Sequence, residues 1–138
     1  MSEYVPAELR RLIAERARDR CEYCLLHEED SFFPHEPDHI IATKHCGTTQ
    51  EDNLAWACFT CNRFKGSDIA SIDPASGEIV RLFHPRKDEW VENFRLEDGG
   101  EITGLTPPAR ATLRLPQINL DEAIESRRLL MDSGGYPS

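Results

Sequence analysis

Apolar positions in "PAELRRLIAERARDR" fall at Leu9, Leu12, Ile13 and Ala17, one stripe of a 3.6-residue period. This predicts an amphipathic helix over residues 6–20, with Pro6 in its first turn. "CEYC" stops it. Residues 25–36 read as loop, and Ile40-Ile41-Ala42 predicts a short strand over 37–43. "TKHCGTTQED" returns to loop, and "NLAWACFTCNRFKGSDIA" mixes a tight turn with helical character. "IDPASGEIV" and "FRLEDGGEITGL" each place turn residues between two apolar arms, the second with Asp98-Gly99-Gly100 at its tip, so both predict hairpins. From Thr106 the pattern is helical again, with Thr106 as a cap and Pro107 in the first turn. Asn119, with Glu122 three residues later, is an N-cap signature before "AIESRRLLM". "DSGGYPS" is expected to fray. The elements sum to an α+β protein with no internal repeat and no low-complexity segment.

With 138 residues, residues 1–138 fit a single domain, or a compact core with an appended tail. A hydrophobic share of 39% and a charged share of 30% are those of a soluble globular protein. No apolar run reaches the roughly 20 residues that span a bilayer. The N-terminus lacks the apolar segment of a signal peptide, so a cytoplasmic protein with no membrane partner is the default expectation. Net charge is −9, which by itself argues against phosphate binding. Its distribution changes that picture: residues 21–55 carry eight acids and one base, whereas 56–95 balance at six and six. Acidity gathers where a cation would sit, although a solvated acidic loop explains "HEEDSFF" equally well.

Cys21-x-x-Cys24 and Cys58-x-x-Cys61 form two knuckles. A two-residue gap lets both sulfurs of a pair reach one ion, and two pairs complete a tetrahedral zinc shell. Disulfides are the competing reading, and a reducing compartment disfavours them. The 33 residues between the knuckles exceed the roughly 15–20 of a zinc ribbon, so a sizeable element is held between them. Cys46 is left over and reads as a free thiol. His45 beside it does not make a second site, because the sulfur shell is already full.

Inside that element lie Asp38-His39 and then Asn53, and Asn62 follows the last cysteine. "CEYC", "PDHIIA", "EDNLAWAC" and "CNRFKG", in that order, resemble the HNH endonuclease family, also called His-Me finger or ββα-metal nucleases. The match is to its four-cysteine, zinc-containing bacterial type. The steps of 14 residues from His39 to Asn53 and 9 from Asn53 to Asn62 fit the family. The third position, often His, is here Asn62, as in the HNH domains of RNA-guided DNA nucleases. The resemblance covers a core of about residues 18–68, and "LFHPR…W…F…GLTPPARAT" looks like the downstream part of a bacterial subgroup, a C-terminal extension over about 69–132. It implies a zinc-stapled ββα-metal centre with an N-terminal helix and C-terminal hairpins and helices. It also implies cleavage of phosphodiester bonds, leaving 5′-phosphate and 3′-hydroxyl ends.

The residue types suit that chemistry. Hydrolysing a phosphodiester needs a nucleophile at neutral pH and a cation against developing charge. Asp38 offers a hard oxygen to Mg²⁺ or Mn²⁺ and the Asn62 carbonyl a second. An imidazole such as His39, with an ordinary pKa of about 6.5, can take a proton from water at pH 7–8. Asn53 can hold the loop facing His39 and fix its ring. Arg63 and Lys65 are candidate phosphate contacts, with Arg81, Arg86 and Lys87 further along. Taken singly, His39 would be a surface or core histidine, Asn53 a helix cap and Asn62 a turn residue. Trp56, Phe59 and Trp90 are expected in the core, and His27, His35, His45 and His84 have no partner pattern. Strand alternation sends Asp38 and His39 to opposite faces, so both serve one phosphate only if the pleat is irregular there. The expectation is a metal-dependent endonuclease acting on nucleic acid, with double-stranded DNA as the first candidate. An RNase using the same centre and a non-catalytic zinc module remain alternatives. Target specificity and oligomeric state are left open.

Overall fold

The structure, a computed structural model, describes residues 4–137. Helix α1 (Ala7–Arg16) leads into the first knuckle; strands β1 (Glu36–His39) and β2 (Leu54–Ala57) and helix α2 (Phe59–Lys65) follow. Then come β3 (Ala70–Ile72), β4 (Ile79–Arg81), α3 (Trp90–Asn93), β5 (Phe94–Leu96), β6 (Ile102–Gly104), α4 (Pro107–Arg114) and α5 (Asp121–Asp132). The strands pair in sequence order as three antiparallel two-stranded sheets. This is the α+β arrangement expected, with both predicted hairpins in place. No helix among the described residues is long and apolar enough to cross a membrane.

Helix α1 is shorter than its sequence stripe. Pro6 occupies the cap position, and Arg18 and Asp19 both adopt positive φ (54° and 59°), turning the chain before "CEYC". Ile13 is fully buried and packs with Leu54 and Trp56, whereas Leu12 is 43% exposed. The stripe facing inward is therefore Leu9, Ile13, Ala14 and Ala17, of which Ile13 alone is fully buried.

Strand β1 begins one residue early and ends four residues early, in register Pro37↔Trp56, Asp38↔Ala55 and His39↔Leu54. Pro37 is tolerated because a two-stranded sheet leaves every strand an edge. Past His39 the Ile40 amide still donates to the Asn53 carbonyl at 2.9 Å. The Asn53 side chain then takes over, accepting from Ile41 N and donating to Ile41 O, both at 2.9 Å. A side-chain amide replaces the backbone partner, which ends the strand.

"LAWA" is a strand rather than part of a helical turn. Leu54 and Trp56 pack toward α1, and Ala55 and Ala57 join the core around the cysteines. A strand covered on both faces reads as a continuous apolar run and hides its period of two.

The remaining segment closes over the knuckles. Phe83, Phe94, Ile102, Ala109 and Ile118 share one buried cluster with Cys21, Tyr23 and Cys58. Thr106 caps α4 as expected, its Oγ1 accepting from Ala109 N at 3.2 Å. Asn119 does not cap α5; Leu120 holds that position without a side-chain bond. Asn119 instead bonds Ile102 N and O at 3.0 and 2.7 Å, because its amide satisfies both backbone groups of a strand edge. The expected fraying at the end also fails for Tyr136, which is buried and donates its hydroxyl to Cys24 O. Burying that ring outweighs the freedom of a short glycine-rich tail. Ser138 lies outside the described residues.

Candidate active site and metal centre

The four knuckle cysteines are buried, and their sulfurs all lie within 4.8 Å of one another. None is in a disulfide. Each knuckle turns its own backbone onto sulfur: Tyr23 N and Cys24 N donate to Cys21 Sγ at 3.4 and 3.5 Å, and Cys61 N to Cys58 Sγ at 3.4 Å. Bonds with Cys21 and the other thiols push Cys24 and Cys61 up and pull Cys58 down. More negative charge there requires a cation. A tetrahedral zinc–sulfur shell with bonds of about 2.3 Å has edges of about 3.8 Å. Cys24 and Cys58 sulfurs lie 3.7 Å apart, so the four-sulfur set fits a structural metal such as zinc. Cys46 is exposed and stands apart from this cluster.

The knuckles are wired to Asp38. Cys58 caps α2, and that helix ends at Lys65 against β1. Asp38 is 3% exposed and Lys65 2%. The Tyr23 hydroxyl donates to Asp38 Oδ2 at 2.7 Å, and Lys65 Nζ lies 3.2 Å from the same oxygen. Lys65 also donates to the carbonyls of His39 and Ile40 at 3.3 and 3.2 Å. Burial pushes the Asp38 carboxyl up, opposed mainly by the charge of Lys65. Burial likewise raises the Tyr23 phenol, with the Asp38 charge adding to it. Lys65 therefore cannot serve as a phosphate contact in this conformation, because its ammonium is sealed under β1.

His39 is half-buried. Its Nε2 meets Thr49 Oγ1 at 2.9 Å, and Nδ1 has no partner among the described residues. Asn53 is buried and clamps the loop that carries Thr49, donating to Thr48 O at 2.8 Å as well as bonding Ile41. Gly47 lets that loop close, since a Cβ there would lie 1.7 Å from Ile41 O and 2.9 Å from Asn53 Nδ2. Asn62 is half-buried on α2, and its side-chain amide has no partner among the described residues. The register is unbroken through Asp38↔Ala55 and His39↔Leu54, so the irregular pleat considered from the sequence is not seen: Asp38 is directed inward to Tyr23 and Lys65, and His39 to the loop. Asp38 and Asn62 each carry an oxygen of the hard kind that Mg²⁺ or Mn²⁺ takes.

The other basic candidates divide. Arg81 pairs with Asp88 at 2.7 and 3.1 Å, and Arg86 pairs with Glu22. Arg63 and Lys87 are exposed, with Arg63 lying over the Phe59 ring at 5.7 Å. Trp56 is buried as expected, but Phe59 is 37% exposed and stacks on Phe33 at 4.5 Å. Trp90 is half-buried and donates its Nε1 to Tyr23 O at 3.0 Å. His35 is fully buried, with Nε2 on Leu26 O at 2.8 Å. Sequence reasoning missed Tyr23, Gly47 and Thr49. Tyr23 was available as the large residue inside the first knuckle; Gly47 and Thr49 carry no signal without the fold.

No curated protein and no solved structure matches the chain. The model of the family described as HNH endonuclease matches residues 21–68. That segment, which contains the four cysteines, Asp38, His39, Thr49, Asn53, Asn62 and Lys65, is where the chain is similar to HNH endonucleases.

Proposed function

We propose that this protein is a metal-dependent endonuclease that hydrolyses phosphodiester bonds in DNA. Residues 1–138 act as one domain, an HNH core over about 18–68 supported by the extension through their shared buried cluster. Zinc held by Cys21, Cys24, Cys58 and Cys61 is scaffold. Mg²⁺ or Mn²⁺ held by Asp38 and Asn62 supplies positive charge against the phosphate oxygens. His39 is the general base. With Nε2 turned to Thr49, its Nδ1 is left to accept the proton of the attacking water. Asn53 acts through the loop: by bonding Thr48 and Ile41 it keeps the Thr49 hydroxyl opposite the ring. Arg63 and Lys87 are the exposed cations that meet phosphate.

The observations that carry this reading are a half-exposed imidazole held by Thr49 and a loop clamped by Asn53 to keep that hydroxyl in place. Packing alone requires neither. A second reading, a zinc module without catalysis, draws on the ion pair that already neutralises Asp38. Supercoiled plasmid incubated with Mg²⁺, Mn²⁺ or EDTA separates them. Nicking with either ion and none in EDTA is expected, and intact plasmid in every arm would favour the module. Parallel single-stranded DNA and RNA substrates test the preference for duplex DNA.

A further inference from the structure

Lys65 is the last residue of α2, and Gly66 follows it with φ 54°. Its ammonium faces four oxygens drawn from three consecutive residues: Asp38 Oδ1 at 3.4 Å, Asp38 Oδ2 at 3.2 Å, His39 O at 3.3 Å and Ile40 O at 3.2 Å, counting His39 and Ile40 as the two that follow Asp38. Every one of these distances exceeds the about 2.7–2.9 Å of a tight charge-assisted bond. The ammonium therefore sits in an oxygen-lined cage rather than on one carboxylate edge. Hard divalent ions take the same kind of donors.

We propose that Lys65 is a tethered cation that competes with the divalent ion for Asp38, so that loading the metal and releasing the ammonium are one event. This rests on the assignment of Asp38 as a metal ligand made above. A divalent ion brought to a carboxylate that an ammonium already holds repels that ammonium, and the repulsion is only weakly screened where water is excluded. An ammonium has three donors and no acceptor, so it gains nothing from a metal brought beside it. In the metal-free protein Lys65 keeps Asp38 countered and ties down the carbonyl of His39, which holds the strand end in place. When the ion enters, the side chain swings outward about its own flexible stem. Metal affinity is consequently lower than the donor set alone would give, and Lys65 is the residue that sets it.

Binding of Mn²⁺ to the zinc-loaded protein, followed by electron paramagnetic resonance without nucleic acid, tests this. Lys65→Met should bind Mn²⁺ about 5–150-fold more tightly than wild type, the usual span of a coupling between two sites. Asp38→Asn should abolish the site. Equal or weaker binding by a folded Lys65→Met protein, or no binding by either, overturns the proposal. If Lys65→Met does not fold, wild-type protein with ¹⁵N-labelled lysine answers instead. The Lys65 ammonium resonance should leave its protected position with the same midpoint as Mg²⁺ binding measured by Mn²⁺ displacement. A resonance that stays in place while Mg²⁺ saturates the site, or an absence of Mg²⁺ binding, rejects the competition. Failure of the nuclease reading looks different: metal would still exchange with Lys65, but plasmid would remain uncut.

Discussion

Sheets β1–β2 and β5–β6 are both antiparallel pairs of three or four residues a strand, too short to persist alone in water. They are held by different means. In β5–β6, Phe94 and Ile102 are buried, and the polar groups nearby are spent on backbone. Asn119 closes the edge of Ile102, and Arg127 donates to Gly100 O at 2.6 Å and Ile118 O at 2.8 Å. Around β1–β2 the core includes four sulfurs beside its apolar residues, and a buried ion pair lies next to them. Replacing such a pair by apolar residues is often neutral or stabilising, whereas breaking it costs about 3–5 kcal/mol. The first hairpin unit thus carries charged groups that stability does not explain, next to an imidazole and an amide with free atoms. The second buries one charge, Arg127, and satisfies it with the oxygens of Gly100, Ile118 and Asn119.

That contrast breaks most severely at the metal. Cys58→Ser should unfold or aggregate the protein, since structural zinc contributes about 10–16 kcal/mol in small zinc domains. About one zinc per folded wild-type chain is the matching expectation, and elemental analysis showing none would remove the scaffold from the account. Phe94→Ala in the second sheet should cost about 3–5 kcal/mol. It should lower the denaturation midpoint while zinc content is retained, and loss of zinc would show that the two sheets are not separately supported.

Gly47→Ala sharpens the comparison within the first unit. A methyl group 1.7 Å from Ile41 O must push the loop away, a strain of about 1–3 kcal/mol. Zinc and most of the stability should survive, but cleavage should fall steeply because Thr49 no longer meets His39. Crystallography or the His39 ring resonances would report the displacement directly, and an unshifted loop with full activity would contradict it.

The smallest effect is expected at Asp73. Arg110 donates to both its carboxylate oxygens at 2.9 Å and holds its carboxyl down at about 2. Against about 3.9 in the unfolded chain, the stabilisation is complete above pH 5 and is lost only as pH falls from about 4 through 2. Asp73→Asn should therefore lower the melting temperature by an amount that is constant between pH 6 and 8. A gap that changes across that window would mean another group is involved.

Much of this was legible in the sequence, and the exceptions share a cause. The knuckles, both C-terminal hairpins and the Thr106 cap follow from local spacing and turn chemistry. "LAWA" misled because a strand buried on both faces has no visible alternation. Asn119 carried the signature of a cap, but its amide was claimed by a strand edge 17 residues away. Lys65 looked like a phosphate contact because a lone lysine on a short helix usually reaches solvent. Only the fold shows that its ammonium lies beneath β1. Tyr136 was assigned to a fraying tail, since nothing local records the knuckle it covers. The residues that sequence placed correctly are tied by short-range rules, and those it missed are tied by partners distant in the chain.

In the proposed mechanism His39 removes a proton from water beside the loop that Asn53 and Thr49 order. Single-turnover nicking of supercoiled plasmid by wild type and His39→Ala, both zinc-loaded and with Mn²⁺ present, tests it most directly. The account predicts a rate lower by about 10²–10⁴-fold for the variant, with circular dichroism and zinc content unchanged. A variant that nicks at the wild-type rate would show that His39 is not the base.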